Sequence, residues 1–253
     1  MVAEPPGRGF LFGGLTMSLG LKAAARTVDR DHLVPKSLHC AFVSTGEWGP
    51  ALDLDVQVVN DSTAFAHRTV TITQRGRLVA TVAVSFHAPD TGHDFHVAPP
   101  AGPDPSALRA RYAHFGAGPA PIELRLLHDD DDVELGAITR PIHPYWARPI
   151  GPVGPDPVAA DCVTTFVSDY MVVATAVTDA PPPPDARIFT LTHTVWFHRH
   201  SPGESWRRYD ANLQTLVDGR FLTFGTVHGE DGTRLASFVQ EGLVREPPAG
   251  RPG

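Results

Sequence analysis

The 253 residues, 42% of them hydrophobic and 19% charged, suffice for one large domain or two small ones with a real core. A formal charge of −7, spread thinly apart from Asp129–Asp132, argues against a general nucleic-acid binder, which needs a basic face. Two cysteines, Cys40 and Cys162, are too few for a disulfide framework, no uncharged apolar run reaches the roughly 18 residues of a membrane span, and MVAEPPGRG lacks a cationic start followed by an apolar core, so the expected location is the cytoplasm.

In chain order, FLFGGLTMSLGLKAAARTV, residues 10–28, predicts a helix behind two glycines with Leu15, Leu19 and Ala23 on one face. Strand-like runs follow: SLHCAFVS, ALDLDVQVVN, STAFAHRTVTITQ and, after an Arg75-Gly76 turn, GRLVATVAVSF. Residues 88–160 are rich in proline and glycine and read as a connector, with IELRLL and PYWARPI as its strands and the aspartate run as a solvated turn. TTFVSDYMVVATAV, residues 164–177, predicts a second helix, and apolar side chains on nearly all sides (Met171, Val172, Val173, Ala174, Val177) predict its burial. Four more strands close the chain: FTLTHTVWFH, SWRRYDANLQTLV, GRFLTFGTVH and TRLASFVQEGLV, the last hairpin turning at Asp231-Gly232.

The two series share one order of signals, which reads as an internal repeat. A shift of 154 lays His39 over His193 and Leu15 over Asp169, whereas Gly76 over Gly232 needs 156. The expected architecture is α+β, two antiparallel sheets each wrapping a long central helix. His39 and His193, as equivalents, suggest a shared structural hydrogen bond.

Asp169 is out of place in its apolar run. A carboxylate taken out of water finds partners, shifts its pKa or serves chemistry. Here the residues resemble the acyl-CoA thioesterase II family, the TesB-like double-hotdog thioesterases, over most of the chain: FGG opening a helix and VSFHAP closing a strand in the first half, and VSDYMVV, THTVWFHR and ASFVQEGLVR in the second. The resemblance implies a double hotdog with halves at 1–98 and 121–253 and a linker at 99–120. It implies a catalytic trio at Asp169, Thr190 and Gln240, substrate contacts at Gly14, Tyr170, Arg68 and Arg199, and an acyl-CoA substrate with an acyl carrier protein as the other possible donor. No cofactor or metal is implied, and a homodimer is expected because sheet edges pair. Only about a dozen residues precede FGG, so the first sheet is expected to be a strand short. Thr192 stands where the family often has an acid, Ser44-Thr45 where it has Arg-Pro, and Leu213–Val217 lacks its Gly/Ala-Arg-Gly stretch, which bears on recognition more than on chemistry.

In that chemistry, Asp169 near a helix N-terminus stays ionised and orients a water as general base, with Thr190 and Gln240 gripping the water from other sides. Backbone N–H groups of the same helix start are the oxyanion candidates. Arg68, Arg75, Arg77 and Arg199 are candidates for the carrier's phosphates. A covalent route lacks a GxSxG elbow, and neither cysteine has a base partner. The bland alternatives are a helix-capping role for Asp169 and ordinary strand roles for Thr190 and Gln240. His198 and His200 share a strand face, yet no third metal ligand accompanies them. A hotdog hydratase needs a His five positions after its Asp, where Ala174 stands; a non-catalytic acyl-thioester binder stays open.

Overall fold

A computed structural model describes residues 9–113, 121–128, 142–154, 156, 158–177 and 186–245. Helix α1 (Gly13–Ala25) precedes strands β1 (Val34–Phe42), β2 (Asp53–Asp61), β3 (Phe65–Gln74) and β4 (Arg77–His87). The connector carries β5 (Arg111–Tyr112), β6 (Ile122–Leu126) and β7 (Tyr145–Pro149); α2 (Ala159–Ser168) follows, then β8 (Arg187–Phe197), β9 (Arg207–Val217), β10 (Arg220–Gly229) and β11 (Arg234–Arg245). Period-two alternation drives the strands: in β3, Ala66, Arg68, Val70, Ile72 and Gln74 turn inward while the residues between them do not. Tight turns close the hairpins, with Arg75 and Gly76 at φ 52° and 73° between β3 and β4.

The strands form one continuous antiparallel sheet rather than two, in the order β2-β3-β4-β1-β8-β11-β10-β9-β7-β6-β5. The joint is β1 against β8, where pairing satisfies two strand edges that would otherwise be bare. Outward from it the order is the same on both sides, β1-β4-β3-β2 and β8-β11-β10-β9, so the halves are related by a pseudo-two-fold axis normal to the sheet. Such an axis must exchange a directly opposed couple, as His39 with Thr194, which makes the repeat offset odd: 155 for that couple. The even shift of 154 is therefore corrected, because a slip of one residue moves a side chain to the other face. His39 is exposed and bonds Thr194 Oγ1 at 2.7 Å, while His193 is buried and bonds Ser168. They share no common bond.

α1 lies across β1–β4 with Met17, Leu21 and Ala24 buried, and Gly20 lets it seat closely: a Cβ there would stand 2.8 Å from Val82 Cγ2. Leu15, Leu19 and Ala23 are only half-buried, a face rotated from the expected one, because α1 also packs against α2. Ser18 Oγ donates to Cys162 O at 2.8 Å and Lys22 pairs with Asp156 at 3.1 Å across that contact.

The expected second helix over 164–177 is two pieces. α2 ends at Ser168, Met171 turns the chain with φ 58°, and a 3-10 segment, Val172–Val177, then packs on β8, β9 and β10 in the place α1 occupies in the first half. β-Branched residues at 172, 173, 175 and 177 weaken a regular helix, and Thr175 Oγ1 bonds back to Val172 O at 2.8 Å.

Residues 94–108, which overlap the segment expected as a linker, run as a strap tied to side chains of β6, β7, β9, β11 and the turn after β8. Asp94 pairs with Arg199 after β8; Val97 O accepts from Arg234 at 3.1 Å, Pro100 O from Arg208 at 2.6 Å, Pro103 O from Trp146 Nε1 at 3.2 Å, and Leu108 O from Arg125. Proline lacks an N–H, so a proline-rich strand has carbonyls in surplus, and arginines supply the missing donors. Asp129–Asp132 lie outside the described residues. So do residues 1–8, where the expected shortfall of a strand falls; among the described residues β2 is the outermost strand on that side. No helix among the described residues is long and apolar enough to cross a membrane.

Replacing Gly20 by alanine should cost about 1–2 kcal/mol, overpacking against Val82 outweighing the gain in helix propensity. In urea denaturation, the Gly20→Ala/Val82→Ala double variant should lose clearly less than the sum of the two single losses; strict additivity would show that the contact is not tight.

Candidate active site

Asp169 caps the C-terminal end of α2, with φ −91° and ψ −9°, not the N-terminal start of a helix. Its own helix therefore turns a negative end towards it. The positive end comes from the other half: Gly14 N, in the first turn of α1, donates to Asp169 Oδ2 at 2.8 Å. Two glycines make this approach possible. A Cβ on Gly13 would stand 2.7 Å from Asp169 Oδ2, and one on Gly14 would stand 2.3 Å from the Phe166 carbonyl oxygen.

Gln240, fully buried on β11, donates from Nε2 to Asp169 Oδ1 at 2.6 Å and to Thr190 Oγ1 at 2.9 Å. Thr190, on β8, reaches this side of the sheet through a bulge. Gln240 opposes His193, Glu241 opposes Thr192, but Gly242 opposes Thr190, so Leu191 is an extra residue that restores Thr190 to the helix-facing side. Strict alternation would have sent Thr190 and His193 to opposite faces.

Burial pushes the Asp169 carboxyl up to about 7, and the Gly14 and Gln240 donors pull against that rise. The group thus titrates near neutrality instead of remaining fully ionised. The burial that raises it is severe: the residue is 8% exposed, and His193 beside it is fully buried.

Ser168, His193 and Asp169 mimic a nucleophilic triad: Ser168 Oγ lies 3.0 Å from His193 Nε2, and His193 Nδ1 lies 3.8 Å from Asp169 Oδ1. The likeness is structural only. Ser168 and His193 are both wholly buried, Ser168 spends its hydrogen on Thr165 O at 2.9 Å, and burial lowers the His193 imidazole to about 3, too weak a base to activate a hydroxyl. Since Ser168 donates elsewhere, its oxygen accepts from His193 Nε2–H, which leaves a lone pair on Nδ1 facing Asp169. Tyr145 is a further supporting residue that the sequence did not single out: its hydroxyl lies 3.2 Å from Val167 O and 3.3 Å from Tyr170 O, bracing the turn that carries Asp169.

The remaining expected site residues divide. Gly14 spends its N–H on Asp169, so it positions the carboxylate rather than a substrate. Tyr170 is buried, edge-on to Tyr145 with ring centroids 6.4 Å apart. Arg68 is consumed internally by Asp61 at 2.8 Å, Thr27 and backbone carbonyls, with its side chain 1% exposed, and cannot take a ligand phosphate. Arg199 is tied into the strap by Asp94 and Arg234 O, and nine residues along from Thr190 it stands about 30 Å away at the ~3.3 Å rise of a strand. Arg75 pairs with Glu47 at 3.1 Å, and Arg77 donates to Thr45 O at 2.5 Å. His198 bonds Ser237 and His200 bonds Asp161, so the two do not converge. Burial pushes both thiols up, Cys162 to about 12, which makes them packing residues.

Comparison with known proteins adds a family. A profile of the acyl-CoA thioesterase N-terminal domain matches residues 3–87, and one of the acyl-CoA thioesterase C-terminal domain matches residues 89–244. Acyl-coenzyme A thioesterase 8 of Mus musculus is 26% identical over 94% of this chain and 81% of its own length. The acyl-CoA thioesterase II TesB2 of Mycobacterium marinum superposes with a TM-score of 0.80 at 26% identity, covering 96% of this chain and 92% of its own. A hotdog-fold protein of Alicyclobacillus acidocaldarius superposes with a TM-score of 0.72 at 23% identity over 96% and 89% of the two chains, a likeness of fold alone.

The raised carboxyl carries a stability signature. Below pH 3.8 Asp169 is protonated in both folded and unfolded chains; between 3.8 and about 7 only the unfolded chain ionises, so this group's contribution to stability falls as pH rises and levels off above about 7. Urea titrations at a series of pH values should show Asp169→Asn gaining on the parent across that window. A difference independent of pH would show that the carboxyl is not raised.

Proposed function

The chain belongs to the acyl-CoA thioesterase family, which makes it a thioester hydrolase, and we propose that it converts acyl-CoA to free acid and coenzyme A by direct attack of water, with Asp169 as general base. The observation that carries this reading is the single amide nitrogen of Gln240, which donates to Asp169 at 2.6 Å and to Thr190 at 2.9 Å. Both hydrogens of that amide are committed, so one planar group sets the spacing of carboxylate and hydroxyl. Asp169 keeps a lone pair to accept from water. The Thr190 oxygen accepts from Gln240, which frees its hydrogen for the thioester carbonyl oxygen, where negative charge develops.

Attack transfers one water hydrogen to Asp169 as the water oxygen bonds the carbonyl carbon. Collapse of the tetrahedral species breaks the C–S bond, and the departing thiolate takes the proton back from Asp169, restoring the carboxylate. A base titrating near 7 suits both halves of this exchange at neutral pH, accepting a proton in one and releasing it in the next. The severe burial that raises Asp169 also keeps bulk water from competing for its lone pairs. Ser168 and the two cysteines offer no covalent alternative, for the reasons of burial and basicity given above.

Asp169→Asn should lower kcat on an acyl-CoA by about 10²–10⁴-fold with its fold intact. In the parent, kcat/KM should climb with pH through about 7 and then level, because the base must be deprotonated. Thiol release from a panel of acyl-CoA esters measures both, and an Asp169→Asn variant as active as the parent would sink the mechanism.

A further inference from the structure

We propose that Phe42 lines the path of the substrate's acyl chain beside the carbonyl under attack, and so sets which acyl groups the site accepts; the inference rests on the thioesterase reading above. Phe42 is the last residue of β1 and shares the helix-facing side with Leu38 and Cys40, both fully buried. Cys40 lies opposite His193 in the β1–β8 register, and the His193 ring reaches Ser168 of α2, which fixes that side as the one carrying the reaction centre. Ala41 then opposes Thr192. One step on, Phe42 comes level with the bulge at Leu191 that turns Thr190 to the same side.

The first turn of α1 locates the ring a second time. A Cβ on Gly13 would stand 2.7 Å from Asp169 Oδ2, 3.1 Å from Phe42 Cζ and 3.4 Å from Phe42 Cε1, so carboxylate and ring tip border one point from two sides. A water held by Asp169 puts the attacked carbon about 6 Å from the carboxylate, one hydrogen bond and one attack distance away. The ring tip falls within that radius. Cys40, two residues earlier, registers the same proximity: burial pushes its thiol up, and the Asp169 charge pushes it further.

Burial decides from where a substrate can approach. Ser168, His193 and Gln240 are wholly buried around Asp169, as are Val172 and Ala174 in the 3-10 segment that follows it. Phe42 and Thr190 are half-buried, open in part to solvent. So are Phe12 and Phe166, which meet edge-on with ring centroids 5.0 Å apart at Gly14, where a Cβ would stand 2.5 Å from Phe12 Cε1. Phenylalanine rings therefore flank the helix start at the point where it holds the carboxylate. A ring of this kind offers apolar surface and no hydrogen-bonding group, which suits the hydrocarbon of an acyl chain and not the amides and phosphates of its carrier.

The test compares acyl groups on one carrier. In Phe42→Ala the ratio of kcat/KM on hexanoyl-CoA to kcat/KM on acetyl-CoA should fall about tenfold below the parent's, the worth of roughly two methylenes against the ring, and Phe42→Leu should lie between the two. The same two acyl groups carried on N-acetylcysteamine should show the same fall, because the ring reads the acyl group. A loss equal for both acyl groups would mark a ring that only braces the site or touches the carrier, and it overturns the proposal. So does an unchanged ratio, a gain on the longer chain, or a fall confined to the coenzyme A esters. Should thermal melting show that Phe42→Ala does not fold, Phe42→Leu decides by the same ratio. Should the parent hydrolyse no thioester, the functional reading fails by itself; calorimetric binding of acetyl-CoA and hexanoyl-CoA to parent and variant then decides the role of Phe42. A preference for hexanoyl-CoA that the variant loses supports it, and an equal preference in both proteins, or none in the parent, refutes it.

Discussion

A carboxylate held away from water must be met by donors, and Asp169 is met from both halves of the molecule at once: by the Gly14 amide of α1 and by the Gln240 amide of β11. The Gln240 contact closes within the second half, through β8–β11 pairing, whereas the Gly14 contact crosses between the halves and cannot form until the β1–β8 joint has brought them together. The glycines at 13 and 14 follow from the same constraint, because any Cβ there would strike the carboxylate or the Phe166 carbonyl. So does the raised pKa. Two donors are enough to hold the group in place but not enough to cancel its desolvation.

The pseudo-two-fold axis makes this contact easier to understand. Gly14 and Asp169 are separated by 155 residues, the same odd offset that exchanges His39 with Thr194 across the joint. Carboxylate and amide thus stand at equivalent places on either side of the axis. One half supplies the acid; the other supplies the helix start that steadies it. The halves have also diverged in shape, with a regular helix in the first and a broken one in the second. That break places Asp169 in a turn braced by Tyr145 instead of inside a helix, where its carboxylate can reach Gln240.

The strap adds a second kind of divergence. It ties itself to the second half by lending backbone carbonyls to arginines of β6, β9 and β11. Those arginines are thereby withdrawn from ligand binding, as Arg68 is by Asp61 and Thr27. A basic residue counts towards recognition only after its internal partners are subtracted.

Local pattern was enough to predict all the long strands, the first helix and the turns at Arg75-Gly76 and Asp231-Gly232, because alternation and turn chemistry are properties of neighbouring residues. Motif resemblance was enough to nominate Asp169, Thr190 and Gln240 before any contact between them was known. Four things depended on tertiary structure: the union of two sheets into one, the odd repeat offset, the end of the helix at which Asp169 sits, and the bulge at Leu191 that turns Thr190 inward. The physical reason is common to them. Each turns on which face or edge a residue shares with a partner more than a hundred positions away or on the neighbouring strand, and a one-residue slip, invisible in composition or periodicity, reverses the answer.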